Sequence, residues 1–214
     1  MGRKKLSKVN VRWSEQFAYA IGLITTDGNL SPDLRHINFT SKDLELVKKF
    51  KSALMLSNKI GNKSRGGEQE KKYYVIQFGD VNFFNYLLRI GLTPAKSLTL
   101  EKIRIPDNFF CHFLRGCIDG DGNVSVVYHP ESKHPQLRLR IYSSSPTFLS
   151  WMHATIKMLF DVSGGWIDTR NYRNICTLVF AKHDARTILT QVYKTNSQYR
   201  LERKYVIARP FLGG

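Results

Sequence analysis

The chain contains no apolar run near the length that a membrane-spanning helix needs, so a membrane span is not its organising element. It has three cysteines, Cys111, Cys117 and Cys176, and no CxxC pair among them. An odd, scattered set does not build a disulfide framework and reads as the reduced cysteines of an intracellular protein. The six histidines show no zinc-ligand spacing. Acids are scarce: 17 Asp and Glu stand against 33 Lys and Arg, a net charge of +16. Such an excess calls for a polyanionic partner. The positive charge is spread along the chain rather than gathered on a tail, which favours nucleic acid over a membrane surface. Residues 1–10 are basic but lack the apolar core of a signal peptide, and they read as a basic arm. The expected compartment is intracellular, with bacterial cytoplasm and organelle matrix not distinguished.

What the chain does have is a core and a repeat. Hydrophobic residues make up 42% of the sequence, enough to exclude disorder as its main state. Two stretches match: Ala20-Ile21-Gly22-Leu23-Ile24-Thr25-Thr26-Asp27-Gly28 and Leu114-Arg115-Gly116-Cys117-Ile118-Asp119-Gly120-Asp121-Gly122. Each is an apolar helix pattern with small residues that ends in Asp-Gly, and a little under half the chain separates them. Small residues let a second helix approach closely. The acids fall at helix C-termini, where the dipole is unfavourable to them. Asp-Gly is also a common helix stop, which would explain one copy; two equivalent copies ask for another reason. If the helices pack side by side, Asp27 and Asp121 meet, and paired carboxylates repel unless a divalent ion lies between them.

The elements after each motif repeat too. Ser14 is a suitable N-cap for the first helix, with Gly28 as its stop. A hairpin over residues 29–40 follows, with Ile37 and Phe39 on its apolar face. Ser41 is expected to open a second helix bearing Leu44, Val47 and Phe50. Another hairpin runs from Lys59 to Phe78, and a third helix from Val81 to Leu88. After Pro106 the order returns: a motif helix, strands with Leu137, Leu139 and Ile141 on one face, a helix over 148–160, two more strands, and a last helix over 184–193. Ser143 is the counterpart of Ser41. The expected architecture is α+β, a tandem αββαββα repeat, with an N-terminal half over 1–97, a linker over 98–106 and a C-terminal half over 107–214. Neither half is comfortable alone, so the two form a pseudo-dimer packed through the motif helices.

The two nine-residue stretches resemble the motif that names the LAGLIDADG homing endonucleases. The second copy keeps Gly116, Ile118, Asp119, Asp121 and Gly122; the first keeps Gly22, Leu23, Ile24, Asp27 and Gly28. Thr25 and Thr26 depart from the pattern, since the motif has an acid and a small residue there. The resemblance covers nearly the whole chain. It implies that Asp27 and Asp121 bind catalytic Mg²⁺, with Mn²⁺ or Ca²⁺ able to substitute in binding, and that Thr26 and Gly120 belong to the same metal site. It also implies that a basic residue late in each half assists, Lys96 in the first and Lys204 in the second. Antiparallel sheets from the two halves would form a saddle in the DNA major groove.

Strand parity then selects the DNA face. In the N-terminal half it carries Asn29, Ser31, His36, Asn38, Thr40, Lys59, Lys63, Arg65, Tyr73 and Gln77. In the C-terminal half it carries Asn123, Ser125, Arg138, Arg140, Tyr142, Asp168, Arg170, Arg173 and Thr177. Arginine reads guanine and Asn or Gln reads adenine in that groove, while tip lysines more often hold phosphates. The function implied is site-specific cleavage of both strands of a long, asymmetric double-stranded DNA target by a functional monomer with no obligate protein partner and no membrane association. The alternatives are an RNA maturase assisting intron splicing and a DNA-binding protein without cleavage. No splicing-domain cysteine or terminal asparagine stands out, so a free-standing or intron-encoded form is expected.

Overall fold

The computed structural model describes residues 7–64, 72–128, 134–169, 175–194 and 198–212. Helix α1 (Glu15–Asp27) starts where the Ser14 hydroxyl accepts the Phe17 amide at 3.2 Å. Helix α5 (Asp107–Asp121) is its counterpart. The two lie against each other at Gly22 and Gly116, so closely that a Cβ on Gly22 would stand 2.9 Å from the Gly116 Cα. That approach is why both positions are glycine. Nine residues of each helix are buried, because each is covered by the other helix and by its own half.

The N-terminal half continues with β1 (Gly28–Leu30), β2 (His36–Ser41), α2 (Leu44–Ala53), β3 (Gly61–Lys63), β4 (Tyr73–Gly79) and α3 (Val81–Ile90). A single helical turn, α4 (Lys96–Thr99), then straddles the expected boundary at 97/98, and Leu100 and Ile103 after it are buried. The C-terminal half runs β5 (Gly122–Val127), β6 (Gln136–Ser143), α6 (Pro146–Phe160), β7 (Trp166–Asp168), β8 (Cys176–Ala181), α7 (Lys182–Tyr193) and α8 (Glu202–Ala208). The sheets are antiparallel and four-stranded, with matching orders β1-β2-β4-β3 and β5-β6-β8-β7. The fold is therefore the expected α+β pseudo-dimer.

One face of each sheet is packed on helices. Ile37, Phe39, Ile76 and Phe78 are buried in the first half, with Phe39 stacked on Phe50 of α2 at 4.5 Å between ring centroids. Leu137, Leu139, Ile141, Leu178 and Phe180 do the same in the second, over Phe148, Met152 and Ile156. Among the described residues no helix is long and apolar enough to cross a membrane.

Four local expectations are corrected. Ser41 and Ser143 do not open helices: each is the last residue of a paired strand, and its hydroxyl accepts the amide two residues on, at 3.1 Å. Asp43 and Ser145 are the N-caps. Gly28 is not in the left-handed conformation of a usual helix stop; its φ is −79° and it leads straight into β1. It must be glycine because a Cβ there would stand 2.7 Å from the Ile24 Cα. Residues 184–193 do not hold the last helix, since α8 follows, short and without a side-chain N-cap that the sequence could signal. Thr177 is buried, at 4% exposure, although parity puts it on the polar face. It does share that face, in register with Tyr142 and Asp168, but it sits on the interior strand β8 with a strand on either side.

Candidate active site and nucleic-acid face

Packing α1 against α5 brings both Asp-Gly ends to one place. A Cβ on Gly120 would lie 2.9 Å from the Thr26 Cβ and 3.3 Å from Asp27 Oδ2, so the end of one motif touches the end of the other. Asp27 and Asp121 line a single cavity of about 470 Å³, together with Asn29, Asn38, Thr40, Lys63, Tyr73 and Lys96. A second cavity of about 170 Å³ opens toward the C-terminal half and shares Thr26, Lys96, Ser97 and Asp121 with the first, adding Tyr142. Asp27 is half-buried and Asp121 exposed.

The two lysines singled out in the sequence close the back of this site. Lys96 is 7% exposed, and its Nζ donates to the carbonyls of Gly28 at 2.6 Å and Thr26 at 3.4 Å. Lys204 is 4% exposed, and its Nζ donates to the carbonyls of Ile118, Asp119, Gly120 and Gly122 at 2.6, 2.9, 3.3 and 2.7 Å. The last carbonyls of a helix have no partner within it and carry its negative dipole. A buried ammonium at each motif helix satisfies them and offsets that field, which makes the same end tolerable for an acid. Burial pushes both lysines down to about 8, against the opposing pull of Asp27 and Asp121, which acts on each of them.

Thr26 and Gly120, expected in the metal site, present carbonyls that these lysines already occupy. The Thr26 hydroxyl turns back to the Gly22 and Leu23 carbonyls. Among the described residues no group of three or more His, Cys, Asp and Glu side chains gathers. The donor set is two carboxylates with backbone carbonyls beside them. Such hard oxygen donors suit an ion that keeps several waters and takes phosphate oxygens, as Mg²⁺ does.

Beside this site lies a buried network between the halves that sequence reasoning missed. Asp119 Oδ2 accepts from the Tyr19 hydroxyl at 2.9 Å and from the Leu201 amide at 2.7 Å. Burial raises the Asp119 carboxyl to about 6, opposed by Lys204 and by these donors. Arg115, 1% exposed, donates to the Val192 carbonyl at 2.8 Å and the Tyr199 carbonyl at 3.3 Å. An arginine inside an apolar motif was the one visible signal; its partners, far along the chain, had none.

The open faces of the sheets carry most of the expected DNA-contacting residues. Asn29, Lys63 and Gln77 are exposed there, and Asn38, Thr40, Tyr73, Arg138, Arg140, Tyr142 and Asp168 partly so. Asn123 and Ser125 are on this face but are engaged with Arg140, whose Nη1 donates to Asn123 Oδ1 at 3.4 Å and Ser125 Oγ at 3.1 Å. His36 is tied to Asp33 in the hairpin turn, a pairing that draws the Asp33 carboxyl down to about 2. Ser31 lies in that same turn, and Lys59 precedes β3 rather than belonging to it. Arg65, Arg170 and Arg173 lie outside the described residues. Trp166, an exposed aromatic on the same face, was not anticipated, although it shares parity with Asp168.

No family model and no curated protein matches the sequence. Solved structures do match. Full-length WhiA from Thermatoga maritima is 18% identical with a TM-score of 0.57; the match covers 95% of this chain and 64% of that one. The I-LtrWI LAGLIDADG homing endonuclease bound to target DNA is 12% identical, TM-score 0.59, covering 92% and 89%. I-DmoI in complex with DNA and Mn is 16% identical, TM-score 0.56, covering 85% and 97%. At these identities the likeness establishes the fold: the chain has the architecture of the LAGLIDADG homing endonucleases and of the WhiA LAGLIDADG domain.

Proposed function

We propose that this protein is a single-chain endonuclease that hydrolyses a phosphodiester in each strand of a long, asymmetric double-stranded DNA target, with Mg²⁺ as its working ion. The observation that carries this reading is the convergence of Asp27 and Asp121 on one cavity lined by buried Lys96, with buried Lys204 on the carbonyls at the end of the second motif helix. The two carboxylates would hold the metal, with the Thr26 and Gly120 carbonyls beside them. When bound, the ion supplies charge for the scissile phosphate and lowers the pKa of an attacking water. Lys96 and Lys204 fix the two helix ends and neutralise their carbonyls, so that an anionic backbone can approach. The polar sheet faces bind the duplex on either side. Both acids come from one chain, so the active unit is the monomer, and the unlike halves fit an unlike pair of half-sites.

Purified protein given a duplex selected from a random library and Mg²⁺ should cut both strands. Asp27→Asn or Asp121→Asn should lower the rate by on the order of 10³, the several kcal/mol that metal charge contributes to such a transition state. Intact strands with the native protein, or native rates in Asp27→Asn, would overturn the proposal. A second reading, DNA binding without cleavage, is favoured by the likeness to WhiA, in which the same fold serves as a non-cleaving DNA-binding domain. Tight retention of the selected duplex with no strand cut in Mg²⁺ would favour it.

A further inference from the structure

The innermost rows of side chains on the two sheets differ in chemistry, and the difference bears on which bases each half prefers. This step rests on the proposed reading of the sheets as the DNA face. In the N-terminal half the row that starts two residues after Asp27 runs Asn29, Asn38, Gln77, each opposite the next in register. All three are amides, and none of their side chains makes a hydrogen bond among the described residues. Adjacent strands are ~4.8 Å apart, so the row spans roughly 10 Å, about three stacked base pairs. Its equivalent in the C-terminal half runs Asn123, Arg140, Val179, Trp166. Arg140 stands where the first half has Asn38.

Arg140 is held rather than loose. Asn123 and Ser125 accept from its Nη1, and no carboxylate pairs with it among the described residues. No acid therefore occupies its Nε–Nη2 edge, which stays available for a bidentate partner. Asn123 and Ser125 then serve as positioning residues for Arg140, not as readers themselves. Beyond it the row turns apolar, with Val179 covered and Trp166 46% exposed. Trp166 thus presents an open apolar surface on the edge strand of this face.

In the major groove, side-chain amides pair with adenine, a guanidinium fork pairs with guanine, and an apolar surface meets the thymine methyl. We infer that the two inner half-sites are read unequally: the Asn29–Asn38–Gln77 row selects adenine, whereas Arg140 selects guanine, with Trp166 favouring a neighbouring thymine. Arg140 is thus the specificity-determining residue of the C-terminal inner half-site.

The test is a binding selection in Ca²⁺ from randomised duplexes, sequenced for the native protein and for Asn38→Arg, Arg140→Asn and Arg140→Lys, with thermal melts to confirm folding. The native protein should enrich guanine at one inner position of one half-site by roughly tenfold or more over other bases. Arg140→Asn should convert that position to adenine, and Asn38→Arg should create a guanine preference in the other half-site. Arg140→Lys should keep most of the affinity, as a charge does, yet weaken the guanine preference, as loss of the fork does. A guanine preference that survives Arg140→Asn, or preferences unmoved by the exchange, would overturn the inference. Cleavage of the enriched native duplex in Mg²⁺ is scored separately, so the nuclease reading can stand while the base assignment falls, or the reverse.

Discussion

Lys96 and Lys204 lie under the two motif helices in matching places, yet the halves secure them by different means. In the C-terminal half Lys204 reaches four carbonyls from a two-turn helix whose first amides begin beside Leu201, and the Leu201 amide is itself fixed by Asp119. In the N-terminal half Lys96 reaches two carbonyls from a single turn that follows Ala95 at φ 54°. That left-handed conformation costs an alanine about 1–2 kcal/mol. The position of Asp119 is taken there by Thr25, whose hydroxyl bonds back to the Ile21 carbonyl within its own helix at 2.8 Å. The second half thus builds its lysine into a network that crosses the interface, and the first half leaves its lysine on a strained turn. A duplicated fold can keep the working atoms in register while the supports diverge, because only the atoms in the shared cavity must remain equivalent.

The comparison is broken most sharply by removing the supports. Asp119→Ala leaves the Tyr19 hydroxyl and the Leu201 amide buried without an acceptor and should destabilise the protein by about 4 kcal/mol. Thr25→Val removes a bond whose acceptor stays in the helix ladder and should cost about 1 kcal/mol or less. Urea unfolding of the two variants checks the difference, and equal losses would mean that the halves are supported alike.

The next effect is a pH dependence. Both lysines titrate near pH 8 in the folded protein against an ordinary 10.5. Below pH 8 they are charged in both states, so the cost of burying them is present in full. Between about 8 and 10.5 the folded chain has released these protons and the unfolded chain has not. The unfolded state then binds more protons, and stability rises with pH. Native stability relative to Lys204→Met should therefore climb by roughly 3 kcal/mol across that window. A flat difference would mean that Lys204 is not buried as its contacts indicate.

The smallest expected effect sharpens the comparison at neutral pH. Lys204→Met strands more carbonyls than Lys96→Met and should be the more destabilising by about 2 kcal/mol. Reversal of that order in denaturant titrations would place the stronger support in the N-terminal half.

Much of the site was readable before any coordinates. Asp27, Asp121, Lys96 and Lys204 come from two local patterns and their resemblance; the cavity gathers the two acids with Lys96, and Lys204 holds the carbonyls at the end of the second motif helix. Strand parity placed most of the described face residues on the open faces, because alternation is a property of the strand itself, whereas Ser31 and Lys59 lie outside the strands. It put Thr177 on the right face too, in register with Tyr142 and Asp168, but exposure does not follow from parity on an interior strand flanked by two others. It passed over Trp166, because a single apolar residue at an edge carries no periodic signal. Ser41 and Ser143 were misassigned because the choice between strand end and helix cap is made by pairing across the sheet. Helix α8 was missed because it is short, has no side-chain cap, and is held at its start by Asp119 from far away in the chain.

The sequence by itself determined the repeat, the alternating strands, the small-residue helices and the acids that end them. These follow from covalent geometry and from the periods of helix and strand, which act over a few residues. Only the tertiary structure decided that the two Asp-Gly ends share one cavity. Only it set the lysines on the last carbonyls of the motif helices, and only it spent Asp119 on Tyr19 and Leu201 while Arg140 stands where the other half has Asn38. Each of those facts depends on which distant backbone atoms come within hydrogen-bond reach, and that is fixed by the packing of Gly22 against Gly116 rather than by any local pattern.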